Sequence, residues 1–481
     1  MALSIYNTLS RSKETFKPIE QGKVGMYICG PTVYSDTHIG HAKSYITFDV
    51  VRRYLSFLGL KVTYILNITD VGHLTDDGDE GEDKLGKKGI ETKQHPMQIA
   101  ETYTRSFFDE MTRLNVLPPD IAPRASGHII EQIEIIKDLI AKGFAYEADG
   151  NVYFEVAKDA EYGKLSGRKA DDQEASGRVE TRSDKRSPQD FALWKKAEKG
   201  HIMRWASPWG DGFPGWHIEC SAMSMKYLGE TFDIHGGGIE NQFPHHECEI
   251  AQSESSTGKQ FVHYWMHHNM VTVDGKKMGK SLGNSSYLKD LFLQFDPMTL
   301  RFFLLQSHYR STTEFKTEAI FAADTGYKKL LATFDKLRDK VGVVEIGTLT
   351  TKELEHPIVR QFVEDMNDDF NTPKGIAQLF DLSRITNEAL STEGDPKILK
   401  SLFHIWNVLG GGILGIIPKE QSGYAQSGDV LDNVIETIIS WRKEARNNKD
   451  YKMSDAIRND LESAGVVLED AKDGTTSWSV K

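Results

Sequence analysis

Residues 24–68 constrain the fold of this chain more than any other stretch, because they read strand, turn, helix and strand within about 45 residues. The apolar run 24–29 (VGMYIC) stops at Gly30 and Pro31, as a buried strand ending in a turn does. From Ala42 onward, Ile46, Phe48, Val50, Val51, Tyr54, Leu55 and Leu58 fall mostly on one helical face, and Gly59 supplies the stop. Residues 62–68 (VTYILNI) read as a second strand. Two strands joined by a crossover helix lie parallel, so the expected class is α/β, with ligands gathering at the carboxyl ends of the strands.

A chain of 481 residues leaves room for roughly three domains of about 150 residues. Hydrophobic residues at 39% and charged residues at 27% are ordinary for a globular protein. The opening MALSIYNTLSRSKETF has no apolar core of signal length, and no later run approaches ~18 apolar residues, so the cytoplasm is expected and a membrane is not. With 58 basic against 70 acidic residues the formal charge is −12, so a polyanionic partner would need local basic patches. Cys29, Cys220 and Cys248 are too few and too scattered for a disulfide framework, which leaves metal binding or thiol chemistry.

Further along, residues 76–90 are charged and glycine-rich and read as a loop, and helical patterns resume near 96–114 and 126–142. A β-rich stretch (NVYFEV) and a polar run between about 148 and 200 read as an insertion into the sheet domain. The sheet resumes at FDIHGGG and FVHYWMHHNMVTVDG, and after about Phe315 the chain reads as helical almost throughout. Asn371 and Pro373 mark a capped helix start with proline at its first position, residues 418–429 have linker composition, and helices are expected over 434–446 and 454–464.

His38-Ile39-Gly40-His41 sits at the strand-to-helix crossover. Two imidazoles flanking a glycine at a helix N-terminus outline a phosphate site, although such a tetrapeptide also occurs as cap-forming loop histidines. Lys277-Met278-Gly279-Lys280-Ser281 follows the turn Asp274-Gly275, and its two lysines can neutralise charge on a departing pyrophosphate; alone, the string is an ordinary basic turn. His245 and Glu249 stand four apart on one face of an expected helix, at metal-ligand spacing. With Cys220 and Cys29 they make a Cys, Cys, His, Glu set suited to Zn²⁺, while His246 and Glu247 remain alternatives by residue type and Cys248 points elsewhere. The glycines after His235 would let a nucleotide approach the backbone.

The two motifs together resemble the HIGH and KMSKS signatures of class I aminoacyl-tRNA synthetases, with Gly279 where serine is usual. The strings MYICGPTVYSDTHIGHA, SPWGDGFPGWHIECSAMS, FDIHGGGIENQFPHHECEIAQSES and KKMGKSLGN are similar to the cysteinyl-tRNA synthetases over nearly the whole chain. That resemblance implies a Rossmann-like catalytic domain at 1–315 with an insertion at about 95–205 and a KMSKS-like loop at 277–281. It also implies a helical tRNA-binding domain at 316–420 and a C-terminal anticodon-binding domain at 430–481. The same resemblance implies that Cys29, Cys220, His245 and Glu249 bind one zinc ion, which takes the substrate thiolate. Thr32, Thr69, Trp216 and His235 are then expected to line the cysteine pocket. His38, Gly40, His41, Gly236, Gly237 and Lys280 are expected to contact ATP with its Mg²⁺, and His38, His41, Lys277 and Lys280 to act in the reaction. The implied partners are ATP, L-cysteine and tRNA(Cys), and the expected state is a monomer.

Near the C-terminus Arg442, Lys443, Arg446, Lys449 and Lys452 interleave with Trp441 and Tyr451, a composition suited to unpaired RNA bases, although a solvated charged helix has it too. In the family's pattern Arg446, Asp455 and Asp470 match anticodon-reading positions, whereas the ending TTSWSVK departs from the more basic tail of many relatives. A related ligase that passes cysteine to an amino sugar would lack this tail. A generic nucleotidylyltransferase would share HxGH but not the four metal donors.

Overall fold

The computed structural model describes residues 2–72, 84–168, 184–273, 275–277, 286–342, 347–392, 394–417, 427–448, 450–470 and 476–480. They fall into two compact units, Met1–Ile417 and Pro418–Lys481.

Four parallel strands organise the first unit. β1 (Lys23–Ile28) lies between β2 (Lys61–Leu66) and β3 (Phe232–Gly238), and β4 (Val262–His268) flanks β3. Met26 is in register with Tyr64 on one side and Ile234 on the other, so the strand ends line up. The crossover from β1 to β2 is α1 (Ile39–Phe57), whose Ile39, Ala42, Tyr45, Ile46, Phe48, Val50, Val51, Tyr54 and Leu55 are buried. Gly59 adopts φ +85°, a left-handed conformation open to glycine, and turns the chain into β2. Two more helices complete the site's frame: α2 (Trp216–Leu228) and α3 (His245–Thr257). A smaller sheet joins β5 (Val271–Val273) to β6 (Lys276–Lys277) and to β7 (Thr313–Phe315), the latter in parallel.

The stretch expected as an insertion at about 95–205 holds three strands of a four-stranded antiparallel sheet, Ala145–Ala148, Asn151–Phe154 and Phe191–Lys196, whose fourth strand, Gly212–Pro214, lies beyond the expected end. Residues 169–183 of its polar run lie outside the described residues. The expected loop at 76–90 needs correcting: 76–83 lie outside the described residues, but Lys84–Thr92 is a helix that buries Leu85. Its lysines and glycines resemble loop composition, and only packing on the helix Pro96–Arg113 distinguishes it.

Helices Thr317–Val341, Pro357–Asn367, Thr372–Ser391 and Pro396–Trp406 share one hydrophobic core with the parallel sheet. Asn371 caps Thr372–Ser391 by accepting from the Lys374 amide; Thr372 takes the first helical position, so Pro373 stands second rather than first. The union of sheet and helices turns on Asp49, buried in α1. Its Oδ2 accepts from Arg53 Nε at 2.7 Å and from an Arg301 guanidinium nitrogen at 2.5 Å, and its Oδ1 accepts from the Leu117 amide. Arg301, on the helix Pro297–Leu305, also donates to the carbonyls of Leu114, Asn115 and Leu414, while Arg53 reaches Gly411 and Gly412.

In the second unit, Ser427–Asn447 and Tyr451–Ser463 pack on a hairpin of Val466–Asp470 and Thr476–Val480 around Ile435, Ile439, Leu461, Val466 and Leu468. Its first helix starts earlier than the expected 434, and residues 418–426 of the expected linker lie outside the described residues. Arg442 shares the inward face with Ile435 and Ile439 and is 2% exposed, which removes it from the basic surface expected there. Trp441 and Tyr451 do face solvent.

Replacing Asp49 by alanine leaves two buried guanidiniums facing no carboxylate. Urea unfolding of the full chain is expected to report a loss of about 3–5 kcal/mol in the first unit. A loss under about 1 kcal/mol would contradict the role given to Asp49.

Candidate active site and metal cradle

Every element of the site converges where β1, β2 and β3 end. Cys29 follows β1 directly, and the exits of β1 and β2 touch: Thr32 bridges Thr69, and Gly30 donates to Asn67 Oδ1 at 2.7 Å. A Cβ on Gly30 would lie 1.5 Å from the Asn67 carbonyl oxygen, so the approach requires glycine. Asn67 Nδ2 donates in turn to Thr69 Oγ1 at 3.0 Å and orients that hydroxyl.

At the start of α1, His38 is the N-cap and His41 the third helical residue, and each ring accepts from the other's backbone amide through Nδ1. The two imidazoles stack with centroids 3.7 Å apart. The capping and phosphate readings of this motif are compatible, because capping engages only Nδ1 of the two half-buried rings.

Beside the strand ends, α2 contributes Cys220, and α3 contributes His245 and Glu249 from adjacent turns. With Cys29 they place four potential ligand atoms within 4.8 Å of one another. His245 Nε2 is 3.2 Å from Glu249 Oε1 and 3.6 Å from Cys220 Sγ. A second, overlapping set combines Cys29 and Glu249 with His235 and His246. Here Cys29 Sγ lies 3.2 Å from His246 Nε2, and His235 Nε2 lies 2.8 Å from Glu249 Oε2. Behind both sets runs a hydrogen-bonded chain, His246 to His267 to Thr8, at 2.8 Å per step, and His217 contacts His245 at 2.8 Å.

Burial dominates the electrostatics. It pushes the Glu249 carboxyl and the Cys29 thiol far above their ordinary ranges and raises the Cys220 thiol as well. It also pulls His235 and His267 down to about 3 and holds His246 well below the usual histidine range. Protein atoms alone thus hold these groups uncharged. Two sulfurs, an imidazole and a carboxylate are, however, the donor chemistry of a borderline-soft divalent metal, so the residues present fit zinc.

Trp216 opens α2 and lies against His245 with centroids 4.3 Å apart. Cys248 faces away, its sulfur 3.5 Å from the Tyr162 hydroxyl, and Glu247 accepts from the amides of Gly163, Leu165 and Ser166 instead of joining the cluster. Gly236 and Gly237 lie near the end of β3. The Lys277 backbone ends β6, whereas its side chain and all of Met278, Gly279, Lys280 and Ser281 lie outside the described residues. Arg446 and Asp455 are exposed on the second unit, and the Asp470 side chain lies outside the described residues. Sequence reasoning missed Asn67, His267, Thr8 and His217. Only the histidine density of HYWMHHN and GWHIEC hinted at two of them.

Comparison with known proteins agrees with this geometry. Residues 15–325 match the family model described as tRNA synthetases class I (C) catalytic domain, and 361–418 match the DALR domain. The Agrobacterium radiobacter K84 LeuRS, solved in a ternary complex with tRNA and LeuAMS, is similar in fold with a TM-score of 0.59 at 12% identity, covering 83% of this chain and 85% of that one. A Mycobacterium tuberculosis methionyl-tRNA synthetase in complex with methionyl-adenylate gives 0.54 at 13% identity, covering 82% and 90%. Fold, strand-end site and motifs define a class I aminoacyl-tRNA synthetase. Cysteine–tRNA ligases of Chlorobaculum tepidum and Chlorobium chlorochromatii are 52% and 54% identical over 100% of this chain and 99% and 100% of theirs. One from Thermus thermophilus is 50% identical over 98% of both chains. The chain belongs to the cysteine–tRNA ligase family.

A Cβ on Gly236 would stand 2.4 Å from two ring atoms of Phe48 in α1 and 2.8 Å from Ile28 Cδ1. Gly236→Ala is therefore expected to lose about 1–3 kcal/mol by overpacking, read by thermal unfolding. An unchanged midpoint would show that β3 and α1 are less tightly opposed.

Proposed function

We propose that this chain activates L-cysteine with ATP to cysteinyl-adenylate, releasing pyrophosphate, and then passes the cysteinyl group to the terminal ribose of tRNA(Cys). The observation that carries the reading is the buried donor cluster at the strand ends, next to the helix end bearing His38 and His41.

In the first step a carboxylate oxygen of cysteine attacks the α-phosphorus in line, a P–O bond forms, and the bond to the pyrophosphate oxygen breaks. Such a displacement needs positioning and charge neutralisation more than proton transfer. Helix α1 presents its amino end, Gly40 and the two imidazoles to the phosphates, where the helix dipole favours negative charge. Lys277 and Lys280 neutralise charge gathering on the leaving group, Mg²⁺ accompanies ATP, and Gly236 and Gly237 receive the nucleotide along the backbone. Thr32, Thr69, Trp216 and His235 shape the amino-acid pocket.

Cys29, Cys220, His245 and Glu249 hold one Zn²⁺ per chain in this reading. Bound there, zinc supplies a ligand preference for a thiolate over an alcohol. Shape alone separates cysteine from serine by only about 1–3 kcal/mol, whereas a thiol with pKa about 8.5 ionises far more readily than an alcohol. Buried Glu249 and the imidazole rings around it keep the donors oriented and exclude water. The helices of 316–420 serve tRNA binding, and the 430–481 unit reads the anticodon through Arg446, Asp455 and Asp470. The enzyme works as a monomer in the cytoplasm. Among the described residues no helix is long and apolar enough to cross a membrane.

Cysteine-dependent ATP/pyrophosphate exchange tests the reading. Lys280→Ala is expected to slow it by about 10²–10³-fold, serine is expected to support none, and exchange unaffected by Lys280→Ala would refute the assignment. Metal content separates the two donor sets. Cys220→Ser is expected to copurify with well under one zinc per chain, while His246→Ala keeps its zinc with affinity weakened by about 10–100-fold. The opposite pattern would place the ion in the second set.

A further inference from the structure

Lys43 lies in the first turns of α1, two residues past His41, and is 2% exposed. Its ammonium nitrogen donates to the Ser311 carbonyl at 2.6 Å and to the Met270 carbonyl at 3.4 Å. Met270 immediately precedes β5 and Ser311 stands two residues before β7. The Met270 carbonyl also accepts from the Thr313 amide at 3.1 Å, so Lys43 grips the point where these strands begin to pair. From that sheet the KMGKS motif departs, since β6 pairs with β5 through Thr272 and Lys277. Downstream of the motif the chain returns to the same helix end through backbone bonds: Ile39 donates to the Ser286 carbonyl at 3.0 Å, and Leu288 to the Thr37 carbonyl at 2.9 Å. The downstream attachment is made by these backbone groups and by the ion pair of Lys289 with Asp36 at 2.8 Å, and the upstream one by the Lys43 side chain.

We propose that Lys43 is a positioning residue for adenylate formation, pinning the sheet from which the KMGKS motif starts to the helix end that carries His38 and His41. The inference rests on the adenylation reading above and deepens it. A buried cation held on two carbonyl oxygens fixes that sheet more firmly than a neutral donor, because charge-assisted hydrogen bonds are roughly twice as strong. Among the described residues three titratable groups face it: Glu240 after β3, His268 at the end of β4, and Tyr309 from the segment leading to β7. Burial pulls Lys43 down to about 8, with the Glu240 charge acting in the opposite direction. Burial also pulls His268 below the usual histidine range and pushes the Tyr309 hydroxyl well above its own, so neither carries charge where Lys43 titrates. Lys43 therefore loses its charge as pH passes about 8, and the pin weakens. Overall stability moves the other way: between that value and the ordinary lysine value the unfolded chain binds more protons, so folding becomes more favourable as pH rises. An alkaline loss of activity without loss of stability thus distinguishes positioning from a structural role.

The test compares the full chain with Lys43→Met, which keeps the stem and removes the charge, and Lys43→Arg, which keeps the charge at all relevant pH values. Cysteine-dependent pyrophosphate exchange of Lys43→Met is expected to lose about 10–100-fold in kcat, with the KM for cysteine changed less than about twofold. An alkaline limb of kcat is expected near 8 in the unaltered protein, and Lys43→Arg is expected to recover most of the rate and to move that limb upward. Hydrogen exchange of the Val271–Val273 amides is expected to quicken in Lys43→Met. The proposal is overturned if Lys43→Met retains its kcat, if the loss falls on KM, or if Lys43→Arg leaves the alkaline limb in place. The last comparison decides alone should Lys43→Met not fold. Absence of exchange in the unaltered protein would overturn the adenylation reading and this inference with it.

Discussion

A carboxylate, two thiols and several imidazoles lie buried together where the parallel strands end, and the rest of the molecule is arranged around the cost of keeping them dry. Glu249, His235 and His246 are each 0% exposed. Burying an ionised carboxylate without compensation is prohibitive, so such a group either stays protonated or receives a cation. The protein alone keeps the group protonated, and the side chains gathered around it come from four pieces of chain: the exit of β1, β3, one face of α2, and two successive turns at the start of α3. The chain of His246, His267 and Thr8 extends this polar seam to the N-terminal segment, so residues far apart in sequence share one constraint.

Helix α1 links that seam to everything else. Its first residues form the stacked, reciprocally capped His38 and His41, Lys43 holds the small sheet, and Asp49 two turns on gathers Arg53 and Arg301. The guanidiniums also reach the carbonyls of Leu114, Asn115, Gly411, Gly412 and Leu414, which ties the helical region to the parallel sheet. They meet in one continuous core. A helix fixed at its amino end, its first turns and its middle holds His38 and His41 with little freedom to reorganise, as the proposed phosphate site requires.

The strand-helix-strand start was legible because two periodicities adjoin there, bounded by Gly30-Pro31 and Gly59. Among site residues, His245 and Glu249 were legible as a pair because helical spacing stacks them. Their convergence with Cys29 and Cys220 depends on pairing of β1 with β3 and on contact between α2 and α3, which no local pattern encodes. That is also why His246 remained an open alternative to the chosen ligands; the two overlapping donor sets reflect a real closeness of six side chains. Lys84–Thr92 and the C-terminal hairpin escaped because their composition is that of a loop or a tail, and each becomes regular only through packing on a neighbouring helix. Arg442 carries a surface residue's charge but shares the helical register of Ile435 and Ile439, and the register decides its burial.

In the proposed reaction a metal held by Cys29, Cys220, His245 and Glu249 selects the substrate by its sulfur. X-ray absorption at the zinc K-edge of the metal-loaded protein, recorded alone, with L-cysteine and with L-serine, tests it most directly. Two sulfur neighbours are expected in the protein alone, three with cysteine and two with serine. A single protein sulfur, or a count that does not rise with cysteine, would contradict that selection.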